Sequence, residues 1–206
     1  MDCQFCTEFT ARQGTTRIIT ETACGWVLLP TIGALTPGYC LFMPVEHLDA
    51  AADVSPAGLE RVAAETEEMR TLIQARYGPV ILAEHGPRDC ELGASCCSHC
   101  HLHLIPVPDP DAITAAYEKA GGPGLRLASM ADLPTAAEGS YLYLSPRPGE
   151  HYYWLSAGFA RQFVRRVCAY ELGIGEYFDW RDHPFTAHRE RTFAELSADL
   201  HLADAA

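Results

Sequence analysis

"SHCHLHLIP", residues 98–106, sets three histidines at every second position directly before an apolar run. Successive side chains of an extended strand point to opposite faces, so His99, His101 and His103 share one face and Cys100, Leu102 and Leu104 the other. One face supplies core; the other carries three imidazoles that ordinary packing does not explain. The stretch therefore reads as one strand of a sheet with a site on one side.

Working outward, "PVILAEHG" (79–86) reads as the preceding strand, with a Gly- and Cys-containing loop at 87–97 between the two. Before it, "SPAGLERVAAETEEMRTLIQARYG" offers Ser55 as N-cap, Pro56 at the first helical position, apolar Leu59, Val62, Met69, Leu72 and Ile73 near helical spacing, and a stop at Gly78. Three short strands precede that helix: "RIITET" (17–22), "GWVLLP" (25–30) and "GYCLFMPV" (38–45), the last two joined by a turn at "TPG", 36–38. The expected fold class is α+β, an antiparallel meander sheet of about five strands with one long helix. After Pro108 a polar, Gly-rich segment, 109–139, reads as a connector. It leads to an extension over 140–206, with a hairpin ("SYLYLSP", "HYYWLS") turning at "RPGE", 147–150. A helix capped by Ser156 is expected to follow, burying Phe159, Phe163, Val167 and Tyr170 and turning Arg161 and Arg165 to solvent. The tail beyond about 195 reads as a short helix or as disordered.

Composition narrows the function classes. Fifteen basic against 27 acidic residues give a net charge of −12, which repels an extended nucleic acid while leaving room for a small nucleotide held by local groups. No apolar run reaches the roughly 20 residues that span a bilayer, and "MDCQFCTEF" lacks the pattern of a signal peptide. A cytoplasmic location without membrane partners is expected. Nine cysteines, an odd number, fit reduced thiols and metal ligation better than a disulfide framework.

Two chemistries suit the histidine face. Neutral imidazole is a metal ligand, and it is also a nucleophile toward phosphorus near neutral pH. The two coexist if the histidines divide the labour. Cys3 and Cys6, in "CQFC", have the spacing at which two thiolates reach one tetrahedral zinc, a site that needs two further ligands.

"HCHLHLI" resembles the His-φ-His-φ-His-φ-φ signature of the histidine triad (HIT) superfamily of nucleotide hydrolases and transferases, counting Cys100 as apolar. "LTPGYCLFMPVEH" is similar to the family's PGH-apolar-P-x-x-H strand, and the strand–helix–strand order between the two is also the family's. The resemblance covers residues 1–108, a HIT-like catalytic domain. It implies that His101 attacks the α-phosphorus of a nucleotide to form a nucleotidyl-histidine, that His103 assists on the same phosphate, and that Gly93 and Ser98 of the preceding loop contact the phosphate. "EHG", 84–86, resembles a motif of CwfJ-like members and brings Glu84 and His85 forward as further substrate contacts. "QFVRRVCAYELGIGEYFDWR" is similar to the C-terminal module of the same members, packed on the core. The zinc-containing branch resembles the N-terminal arrangement and implies structural zinc on Cys3, Cys6, His47 and His99. The partners implied are a nucleotide or nucleotide conjugate and, as the family's default, a second copy of the chain. A non-catalytic nucleotide- or partner-binding module with structural zinc is the alternative.

Overall fold

The computed structural model describes residues 3–11, 17–87 and 99–204. These form a mixed α/β fold: one antiparallel sheet of eight strands, not about five, with six α-helices among the described residues. The strands are β1 (Thr20–Glu21), β2 (Trp26–Pro30), β3 (Cys40–Pro44), β4 (Val80–Gly86), β5 (Leu102–Pro106), β6 (Leu125–Leu127), β7 (Tyr141–Ser145) and β8 (His151–Leu155), in the order β1-β2-β3-β5-β4-β7-β8-β6. The five-strand expectation stopped at β4 because its outer edge has no signal for what pairs there. The hairpin β7–β8, itself legible, continues the same sheet through Ala83↔Leu144 and its neighbours.

Both faces of the sheet are covered. On one, Leu28, Phe42, Leu82, Leu102, Leu104 and Tyr143 pack with α2 (Pro56–Tyr77) through Leu59, Val62, Met69 and Ile73. This helix starts where the Ser55 hydroxyl accepts from the Gly58 N–H and stops at Gly78, whose φ of 84° a residue with a Cβ would resist. Arg70, fully buried in α2, donates from Nη2 to the carbonyl and hydroxyl of Ser145 at 2.9 Å each, so the long helix grips a strand of the chain's second half. The other face, with Val27, Leu29, Leu41, Ile81, Ala83, Ile105 and Leu144, lies beneath α3 (Pro110–Gly121) and α5 (Phe163–Glu171). Segment 109–139, read as a connector, thus contains a capped helix: the Asp109 carboxylate accepts from the N–H groups of Asp111 and Ala112. It also holds β6 and the four-residue α4 (Leu133–Ala136).

The helix expected from Ser156 begins only at Phe163. Gly158 (φ 94°) and Gln162 (φ 58°) occupy the left-handed region, which no α-helix passes through. Its buried stripe is Val164, Arg165, Cys168 and Ala169, and Tyr170 is exposed. The tail forms α6 (Thr186–Asp204), bound across the fold by Arg76–Asp199 and Tyr77–Glu195 hydrogen bonds and by the Thr192 hydroxyl, which accepts from Gly38 N–H.

Gly86 ends β4 where a Cβ would fall inside the ring of Tyr141. Gly86→Ala should therefore destabilise the protein by about 1–3 kcal/mol, the range for overpacking a rigid neighbour. Urea unfolding measures it; an unchanged midpoint contradicts this packing.

Candidate functional site

β5 is shorter than the expected strand: its ladder starts at Leu102, one residue after His101. Alternation nevertheless holds around it. Leu102 and Leu104 enter the α2 core and Cys100 follows them, while His101 and His103 project together on the α5 side, ring centroids 4.7 Å apart. His101, His103 and His85 are each 5 % exposed.

Backbone partners fix the protons of this group. His101 Nδ1 lies 2.7 Å from the carbonyl oxygen of His99, which can only accept, so Nδ1 carries a proton and, in the neutral form of the ring, the lone pair is on Nε2. His103 Nδ1 shares a 2.8 Å hydrogen bond with the hydroxyl of Tyr39. His85 comes from the neighbouring strand. Ala83 pairs with His103, and the same register carried two residues on sets His85 opposite His101; its ring centroid is 5.8 Å from that of His103. Burial, then the charge on His101, pulls His85 down to a pKa of about 3, and burial followed by His101, His85 and Arg165 pulls His103 well below the ordinary histidine value. Both are neutral imidazoles at physiological pH.

Helix α5 lies over these rings. The Val164 N–H donates to His85 Nε2 at 3.2 Å. Arg165, read as solvated, is 3 % exposed: Nε donates to Phe178 O at 2.8 Å, Nη2 to Gly33 O at 2.7 Å, and the guanidinium sits 5.5 Å from the Tyr39 ring centroid. Arg161 is exposed, as expected. The misreading of Arg165 follows from assigning the buried stripe one residue out of phase.

Glu84 does not join His85. Alternation on β4 turns it to the opposite face, where Oε1 accepts from Ala51 N–H (2.8 Å) and from the Cys100 thiol (3.5 Å), and Oε2 from the Tyr141 hydroxyl (2.6 Å). Burial raises its pKa. Its contacts tie the turn at 51–53 to β4 and β7. Gly93 and Ser98 lie outside the described residues, as do Cys96 and Cys97. Tyr39 was missed by the sequence reading, although it occupies the histidine position of the PGH-like motif.

The N-terminal cysteines meet the first histidine. One ligand atom from each of Cys3, Cys6, His47 and His99 lies within 4.8 Å of the others. Cys3 Sγ and Cys6 Sγ approach His99 Nδ1 at 3.3 and 3.6 Å, and Cys6 Sγ lies 3.3 Å from His47 Nδ1. Zinc–sulfur and zinc–nitrogen bonds of ordinary length give tetrahedral edges of about 3.4–3.8 Å, so the set fits. His99 Nε2 donates to Pro44 O at 2.8 Å, which leaves the Nδ1 lone pair toward the thiols, and His47 Nε2 lies 3.5 Å from Asp49. Such outer partners orient ligating imidazoles. Desolvation, then Cys3, raises the Cys6 thiol; a divalent cation reverses that balance by favouring both thiolates. Cys3 directly precedes α1 (Gln4–Ala11), which carries Cys6 and sets Phe5 tilted and Phe9 edge-on against the His99 ring.

The depressed His85 pKa makes a stability prediction. Between pH 6.5 and about 3 the unfolded chain binds a proton at this residue that the folded chain does not, so stability falls as pH falls through that window. Between pH 7 and pH 5 this one group should remove about 2 kcal/mol. His85→Gln should lose that much less than wild type over the same interval in urea unfolding; parallel losses contradict the assignment.

No family model matches the chain, and no curated protein does. The solved structures it resembles include a hypothetical histidine triad nucleotide-binding protein from Sulfolobus tokodaii strain 7, with a TM-score of 0.43 and 17 % identity over 50 % of this chain and 68 % of that one. No helix among the described residues is long and apolar enough to cross a membrane.

Proposed function

We propose that the chain is a HIT-type nucleotide hydrolase or nucleotidyltransferase acting at the α-phosphorus of a nucleotide phosphoester, phosphoanhydride or phosphoramidate. The observation that carries this reading is the proton placement on His101: the His99 carbonyl holds the hydrogen on Nδ1, so in the neutral form of the ring the Nε2 lone pair is set for attack beside the His103 imidazole. In the reaction, Nε2 bonds to phosphorus as the bond to the leaving group breaks, and the leaving group takes up a proton from solvent water. Water or another acceptor then displaces the imidazole and regenerates the free enzyme. His103 stabilises the charge that develops on the phosphoryl oxygens, held in place by Tyr39. That the transferred group is a nucleotide rests on the resemblance of the triad segment and its flanking strand.

Zinc on Cys3, Cys6, His47 and His99 is structural in this reading, because four protein ligands leave no open coordination position. It supplies a fixed anchor for α1 and for His99. The anchor matters to the chemistry because the His99 carbonyl orients the nucleophile.

Brief mixing of wild-type protein with adenosine 5′-phosphoramidate and related nucleotide conjugates, followed by intact-mass measurement without acid, tests the reading. A covalent gain of one nucleoside monophosphate is expected. Absence of both adduct and turnover across the panel transfers the assignment to a binding module without catalysis.

A further inference from the structure

Among the described residues the Nδ1 of His85 has no protein partner. Its Nε2 faces the Val164 N–H, and a backbone amide can only donate, so Nε2 is the acceptor and Nδ1 bears the hydrogen. The ring is 5 % exposed, and its unpaired Nδ1 is not a fully buried atom, so the donor is open to a ligand. Its neighbours are the nucleophile and His103: one lies across the strand pair, the other at 5.8 Å between ring centroids.

The donor of the fixing bond is itself held in an unusual way. Val164 is in the first turn of α5, where N–H groups have no partner within the helix. Gln162, two residues before, takes a left-handed conformation (φ 58°) that a side chain rarely adopts and is 3 % exposed. Backbone strain of this kind persists where surrounding structure imposes it, and it concentrates at functional sites. Here it stops the chain from entering the helix early and directs the first-turn amide at His85.

We propose that His85 is a further catalytic residue, a neutral imidazole whose Nδ1–H hydrogen-bonds a non-bridging oxygen of the phosphoryl group during its transfer to His101, with its tautomer set by the Val164 N–H of α5. The inference rests on the nucleotidyl-histidine reading above. His85 keeps its proton throughout, and no bond to it forms or breaks. Its contribution is a pre-aimed donor that strengthens as charge builds on the oxygen. Val164 is a positioning residue, and through it the second half of the chain governs the protonation of a residue in the first. The low pKa of His85 supports this, since the imidazole then stays neutral over the whole working range.

Two substitutions separate the two nitrogens. The amide nitrogen of Asn falls near the place of Nδ1, so His85→Asn keeps the donor and loses the tie to Val164. The Gln side chain reaches the place of Nε2, so His85→Gln keeps an acceptor for Val164 N–H and loses the donor. With adenosine 5′-phosphoramidate as probe, rapid-quench intact mass should show adduct formation slowed on the order of 10²-fold in His85→Gln and by less than about tenfold in His85→Asn. Thermal melts of both variants report folding alongside. Equal rates in wild type and His85→Gln overturn the proposal, and so do equally slow rates in both variants, the pattern of a residue that only packs. Wild type that forms neither adduct nor product overturns the parent reading together with this one.

Discussion

Replacing His101 with glycine should lower the rate of nucleotidyl-enzyme formation by about 10⁴-fold or more, the scale on which an enzyme loses rate when its nucleophile is deleted. The reason lies in the placement of one lone pair. No neighbour substitutes for it. His103 Nδ1 is engaged with Tyr39, and His85 presents a proton where a nucleophile needs electrons. The variant should fold, since the site face is held by the surrounding apolar residues of β3, β4 and α5 and a glycine removes only one ring from it. Nucleotide binding measured by calorimetry is expected to survive within about tenfold, because a residue used in the transition state contributes little to ground-state affinity. An adduct that forms on His101→Gly at the wild-type rate would place the nucleophile elsewhere.

Loss of the metal has the second large effect. Cys3→Ser combined with Cys6→Ser should reduce bound zinc from one equivalent to none by native mass spectrometry. A metal present at 1,000 times its dissociation constant stabilises the folded state by about 4 kcal/mol, and at about 2–4 °C per kcal/mol for a chain of this size the melting temperature should drop by about 8–16 °C. The helix that carries Cys6 and directly follows Cys3 has eight residues, far below the length at which a helix is stable alone in water. Its order therefore depends on what it is fastened to. Wild type purified from zinc-supplemented medium should show the same loss on chelation. A melting temperature indifferent to a chelator, in protein carrying no metal, would sink the zinc assignment. Activity should fall with the metal as well, because His99 would hold the metal through its ring while its carbonyl orients His101.

Local signals made the first half legible. α2 has a cap, an N1 proline and a terminal glycine, and β2 and β3 are short branched runs joined at a turn. Strand alternation around Leu102–Pro106 was enough to place His101 with His103 and Cys100 away from them. The His99–thiol cluster followed from a spacing and a resemblance. What stayed hidden depends on distance along the chain. Pairing of β4 with β7 joins residues about sixty apart, and nothing in "VILAEHG" names its partner. The ordered tail was hidden for another reason. α6 is held by Thr192, Glu195 and Asp199 around a single fully buried apolar residue, Leu196, which leaves little apolar period to detect. Arg165 and Val164 were obscured by a helix start six residues late, which a left-handed glutamine imposes and no propensity foretells. Glu84 and His85, read together as one motif, part company because adjacent strand residues face opposite ways.

The strand pairing of β4 has a consequence for how the protein responds to dilution. One edge of β4 meets β5 and the other meets β7 of the same polypeptide, and the strands that end the sheet, β1 and β6, have two and three residues. Outer strands so short offer little for another molecule to extend. The cover over the histidines is likewise intramolecular, since α5 belongs to the chain that supplies them. Specific activity should consequently stay constant from micromolar stock to nanomolar assay, with no lag on dilution and no gain on mixing two inactive variants. Among the described residues, every group placed at the histidine site comes from one chain.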